Sequence, residues 1–130
     1  MDYLIDTDIT IEHLNNDPDA LHLLSQLSSA GIAISIVTYM EAYQGVVRSP
    51  NPLAAQRMFV AFVSGVPVIP FSLHIARRCS RVREDLRQRG RRVRPRALDL
   101  ITAATALEHN LTLVTRNKAD FSDIAGLTLS

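Results

Sequence analysis

At 130 residues, of which 47% are apolar, the chain has enough hydrophobic surface for one core and too little length for two, and intrinsic disorder is excluded. Its single cysteine, Cys79, rules out an internal disulfide and any cysteine-based zinc site, and no apolar run nears the ~20 residues that span a bilayer. The net charge of +1 conceals a segregation: residues 77–96 hold ten arginines against Glu84 and Asp85, while the rest holds four cations against eleven acids.

In chain order, Leu4-Ile5 begins a short apolar strand that stops at Asp6-Thr7-Asp8, residues that suit a helix cap. Ile9, Ile11 and Leu14 continue at helical spacing. Asp17-Pro18 reads as a cap followed by a first-turn proline, Leu21, Leu24 and Leu27 share the face of that helix, and Gly31 closes it. The β-branched run Ile32–Val37 predicts a second strand, and Thr38 is expected to cap a helix that carries Glu41 and ends near Ser49-Pro50. Asn51-Pro52 opens a helix to about Ser64, Val66–Pro70 is a short strand, and Ser72 caps a long helix to about Gln88. A basic loop spans Gly90–Pro95. Helix follows from about Arg96 to Glu108 with Asn110 as a left-handed stop, then a strand over Leu111–Thr115 and a last one over Leu127–Leu129. Strands alternating with helices predict a three-layer α/β/α sandwich around a short, mainly parallel sheet, one domain over residues 1–130. In such sheets ligands sit at the carboxyl ends of the strands.

Four acids stand where acids are costly. Asp6 directly follows the first strand, and Glu41 lies three residues after the expected cap at Thr38. Asp99 interrupts the otherwise apolar Ala97–Ala106, and Asp120 follows the Leu111–Thr115 strand. Each has an ordinary structural explanation: Asp6 and Glu41 as helix-start residues, Asp120 as a loop residue capping the next turn. Asp99, among Leu98, Leu100 and Ile101, has to be solvated or paired. Together they are expected to converge on one pocket, where two carboxylates ~4 Å apart repel by about 4 kcal/mol at an effective dielectric near 20. Such a cluster calls for a cation or for raised pKa values. With no His or Cys beside it, the cation is a hard one, Mg²⁺ or Mn²⁺ held by oxygen, and the chemistry that fits is phosphodiester hydrolysis.

The segments Leu4-Ile5-Asp6-Thr7-Asp8, Thr38–Gly45, Leu98–Ala106 and Leu113–Phe121 resemble, in order and spacing, the four motifs of VapC-like PIN domains. The resemblance runs from Met1 to the C-terminus. It implies a Mg²⁺- or Mn²⁺-dependent endoribonuclease toxin that cleaves transfer, ribosomal or messenger RNA until a cognate VapB-like antitoxin blocks it. It further implies a homodimer, often assembled with antitoxin into larger DNA-binding complexes. By position, Asp6 and Asp99 match the principal metal ligands, and Glu41 and Asp120 the acids that bind or orient metal and water. Thr115 and Asn117 match supporting polar residues, and Asp8 a position that sits behind the site. Ala42 departs from a larger aliphatic common in the family, a matter of local packing.

Two alternatives stand beside it. Asp6-Thr7-Asp8-Ile9-Thr10 fits the first motif of HAD-type phosphatases, with Asp6 as nucleophile and Asp8 as acid/base, although the only lysine is Lys118. A non-catalytic RNA- or protein-binding module on the same fold would be expected to lack one or more acids. Arg77, Arg78, Arg81, Arg83 and Arg87 interleave with Ile75, Cys79, Val82 and Leu86 as on any amphipathic helix, so the loop arginines 89–94 are the better candidates for phosphate contact. Arg116 and Lys118 flank the acids as possible phosphate contacts or charge balance. His13, His22, His74 and His109 share no ligand spacing. The acidic opening Met1–Asp6 differs from a signal peptide, so the expected compartment is the cytoplasm.

Overall fold

A computed structural model describes all of residues 1–130. Four strands, β1 (Tyr3–Ile5), β2 (Ile32–Ser35), β3 (Val68–Ile69) and β4 (Thr112–Val114), form one parallel sheet in the order β3-β2-β1-β4. The register pairs Leu4 with Ala33 on one side and with Leu113 on the other. The helices are α1 (Thr7–Leu14), α2 (Pro18–Leu27), α3 (Ile36–Arg48), α4 (Pro52–Gly65), α5 (Leu73–Gln88) and α6 (Ala97–Glu108).

Strand alternation explains the three layers, since successive side chains leave opposite faces. Leu4, Ala33 and Leu113 pack with Ile75, Cys79, Leu86 and Leu100 of α5 and α6. Ile5, Ile32, Ile34 and Val114 pack with Ile9, Ala20, Leu24 and Phe62 of α1, α2 and α4. Helix α6 is buried over Leu100 and Thr102–Ala106. Ala103, Ala104 and Ala106 let α5 and the sheet approach it closely, which is why that stretch lacks a polar face. No helix is long and apolar enough to cross a membrane.

Most boundaries fall where the caps place them: Asp17, Asn51 and Ser72 each accept from the backbone N–H three residues on, and Asn110 is left-handed at φ 53°. Three departures matter. The second strand stops at Ser35, whose hydroxyl caps α3, so Thr38 lies inside the first turn rather than before it. Glu41 is therefore six residues past the cap, in the second turn, and not a helix-start residue. The basic loop tightens into a 3₁₀ turn at Arg94–Arg96. The expected last strand contributes only a parallel bridge between Leu113 and Leu129.

The sheet order matters to the site. β1 is central, and the chain leaves it toward β2 and β3, then crosses back to place β4 on its other side. The crevice outside the carboxyl ends of β1 and β4 is thus a topological switch point, where parallel α/β sheets hold ligands.

Candidate active site

Asp6 is the first residue beyond β1 and the N-cap of α1. Its backbone N–H donates to the Val114 carbonyl at 2.9 Å, which fixes it to the neighbouring strand. Its Oδ1 accepts from Thr7 N–H at 2.8 Å and its Oδ2 from the Thr115 hydroxyl at 2.7 Å. The residue is only 8% exposed. Burial pushes its carboxyl up to about 6, the two hydrogen bonds notwithstanding, and the negative charges of Asp8 and Asp99 push the same way.

Asp99 occupies the first turn of α6, where the helix dipole favours an acid. Asp99 is exposed; partial desolvation nevertheless raises its carboxyl first, then the charges of Asp120 and Glu41, with Arg96 opposing and Asp8 adding. The charges of Asp8, Glu41 and Asp120 all reach the Asp99 carboxyl. Glu41 is half-buried, its Oε1 accepting from the Thr7 hydroxyl at 2.6 Å. Asp120 is exposed at the end of a 3₁₀ turn, Lys118–Asp120. No three His, Cys, Asp or Glu side chains close into a ready metal cage. The acids share one field around an open site. A cavity of about 520 Å³ lies elsewhere, beside Met1, Leu24 and Phe62.

The supporting residues tie the acidic segments together. The Thr115 hydroxyl accepts from Asn117 N–H at 3.1 Å while donating to Asp6. Asp8 Oδ2 receives Arg116 N–H at 3.1 Å and Asn117 Nδ2 at 3.2 Å, so Asp8 clamps the segment after β4 to α1. Arg116 is not turned toward the acids as a free cation: it pairs with Glu12 at 3.0 Å.

Several participants carried no signal strong enough to be read from the sequence. Arg96, at the start of α6, grips both oxygens of Asp123 at 2.9 and 2.7 Å and the Asp120 carbonyl at 2.8 Å. It thereby joins the segment of Asp120 to the helix of Asp99. The hydroxyls of Ser35, Thr38 and Thr102 form a buried group behind Glu41. Their only trace in the sequence is Thr102 one turn beyond Asp99 and a Ser-x-x-Thr before Glu41, patterns common in any helical protein.

The histidines stay apart from the acids: the His13 ring packs against Phe62 at 5.1 Å, and burial lowers its pKa. Cys79 is buried in the core, which raises its thiol pKa and leaves it inert.

Residues 3–127 match the family model described as PIN domain. Among curated proteins, the chain is 30% identical over 125 residues to the tRNA(fMet)-specific endonuclease VapC of Shigella flexneri, covering 96% of this chain and 93% of that protein. It is 32% identical over 133 residues to the Ribonuclease VapC2 of Rickettsia felis, covering 99% and 96%. Among solved structures, a chain of VapBC2 from Rickettsia felis, crystallised bound to a DNA fragment from its promoter, superposes with a TM-score of 0.89 at 31% identity, over 100% of this chain and 98% of that one.

Proposed function

The chain belongs to the PIN-domain family, and from that premise we propose that it is the endoribonuclease toxin of a VapBC-type pair, restrained by a VapB-like antitoxin and dimeric in its working form. Its relatives are named as ribonucleases over nearly their whole length. Membership in this family sets aside the phosphatase alternative, and the presence of all four acids argues against a module that only binds. The whole of residues 1–130 acts as one nuclease domain.

In this reading Asp6 and Asp99 hold Mg²⁺ or Mn²⁺, and Glu41 and Asp120 complete the cation's surroundings or orient water. The donor set fits a hard cation: it is all oxygen, it lies at the switch point, and its charges burden one another. Its openness suits Mg²⁺, which keeps several waters and binds through one or two carboxylates. When bound, the cation would activate water and neutralise the leaving oxygen of a phosphodiester. The chain's own part is to hold the carboxylates: Thr115 and Thr7 N–H fix both oxygens of Asp6, and Arg96 holds the Asp120 segment beside α6. The observation that carries the reading is Asp6, a buried carboxylate whose raised pKa a divalent cation would relieve.

The test is cleavage of total cellular RNA by purified protein with Mn²⁺ or Mg²⁺ against EDTA, alongside Asp6→Ala and Asp99→Asn. Because one relative is named for tRNA(fMet), initiator tRNA is the first defined substrate to try. Discrete metal-dependent fragments, absent with either variant, are expected. Cleavage that persists in EDTA, or in folded Asp99→Asn at matched metal, would sink the assignment.

A further inference from the structure

The hydroxyls around Glu41 allow their protons to be counted. An ionised carboxylate only accepts, so the 2.6 Å contact to Glu41 Oε1 uses the single hydroxyl proton of Thr7. The 3.0 Å contact between the Thr7 and Thr38 hydroxyls must then take its proton from Thr38. Thr38 has none left for Ser35, which donates to it across 3.4 Å. Ser35, having given its own, receives the proton of Thr102 at 3.2 Å, and the Thr38 backbone N–H at 3.2 Å. Four hydroxyls therefore point one way, from Thr102 through Ser35, Thr38 and Thr7 to Glu41.

Water does not compete along most of this path: Ser35 and Thr38 are 0% exposed and Thr102 is 1% exposed. Buried hydrogen bonds aligned in series polarise one another, and the last, onto a charged acceptor, is the strongest kind. The path begins on α6 one turn beyond Asp99, passes the end of β2 and the start of α3, and leaves through Thr7, the neighbour of Asp6. Each element that carries one of these three acids supplies a link. Without such a tether, a glutamate in the second turn of a helix has three rotatable bonds and an open site to sweep.

We propose that Thr7 is a positioning residue, which, fed by Thr38, Ser35 and Thr102, fixes the Glu41 carboxylate toward the cation and water of the site. The proposal rests on the ribonuclease reading and deepens it, assigning the third acid's placement to a hydroxyl chain.

Thr7→Val removes the hydroxyl at nearly constant shape, and Thr7→Ser keeps it. Each is measured by steady-state RNA cleavage in Mn²⁺ and by calorimetric titration with Mn²⁺ alone. Thr7→Val is expected to lower kcat or Mn²⁺ affinity about 10- to 100-fold, the range typical of groups behind a metal's ligands, with KM for RNA near wild type. Thr7→Ser is expected to recover most of both. Thr38→Val, one link back, shows a smaller loss of the same kind and takes over the test if Thr7→Val does not fold. Wild-type kcat and Mn²⁺ affinity in Thr7→Val, or equal failure of folded Thr7→Ser, overturns the proposal. A wild type that binds Mn²⁺ but cuts no RNA removes the ribonuclease reading alone, and the Mn²⁺ titration then decides the hydroxyl chain by itself.

Discussion

At the scale of single residues, the buried carboxyl of Asp6 makes stability depend on pH. Folding raises its pKa from 3.8 to about 6, so the folded state binds the proton more tightly than the unfolded one. The stability this contributes is complete below pH ~4 and is lost as pH rises through 6, a swing of about 3 kcal/mol. His13 acts oppositely: burial lowers its pKa, so stability falls as pH drops below the unfolded value of 6.5. Comparing wild type with Asp6→Asn isolates the carboxylate. An asparagine there loses the charge, and the Thr115 hydroxyl can turn to accept from it. Asp6→Asn is expected to be more stable than wild type by about 1–3 kcal/mol at pH 7.5 and nearly equal at pH 4 in metal-free denaturant titrations. A gain of the same size at both pH values would show that the charge is not its source. Asp99 stood out as a candidate in the sequence because a carboxylate in an apolar stretch demands a reason, whereas Asp6, Glu41 and Asp120 were singled out by their positions and by their resemblance to the family's motifs. The hydroxyls of Ser35, Thr38 and Thr102 were not, since serine and threonine are at home in caps, turns and buried helices alike.

Among the elements, the helices were legible and the joints between them less so. The caps at Asp17, Asn51 and Ser72 are local chemistry, so the sequence displays them. The run Ile32–Val37 reads as strand by β-branching, with Thr38 as the cap after it. Packing overrides that preference, turning the chain at Ser35 and burying Val37 and Thr38 in the first turn of α3. Arg96 shows the same limit. In the sequence it is one of ten clustered arginines; only the fold brings Asp120 and Asp123 to it. Arg96→Ala removes a two-pronged ion pair with a side chain only 21% exposed together with the bond to the Asp120 carbonyl. The expected cost is about 1–3 kcal/mol of stability and a tenfold or larger loss of RNA cleavage at a temperature where the variant stays folded. Arg96→Lys should recover little, because an ammonium cannot reproduce the fork. Full cleavage by folded Arg96→Ala would show that the tether does not serve Asp120.

For the whole molecule, the charge segregation read from the sequence survives in altered form. Five of the ten clustered arginines are engaged: Arg78 with Glu108, Arg87 with Glu84, Arg89 with Asp85, and Arg91 and Arg96 with Asp123. Arg92 and Arg94 have no such partner and stand exposed on the approach to α6. If they meet RNA phosphates, Arg92→Ala/Arg94→Ala should weaken binding uniformly across sequences and flatten the salt dependence by about 0.7 in slope per lost single-strand contact, measured as affinity against KCl. An unchanged slope would assign them to solvent. The sheet order, finally, bears on when such an enzyme becomes dangerous to its maker. Asp6 is fastened by Thr115, a contact spanning 109 residues, and its backbone is held by Val114. A nascent chain that has emerged only as far as residue 110 already holds Asp6, Glu41 and Asp99, but it has no β4 to form the crevice and no Asp120. Synthesis thus carries its own safety interval: the crevice stays unassembled until β4 and Asp120 have left the ribosome, time in which a restraining partner already present can be waiting.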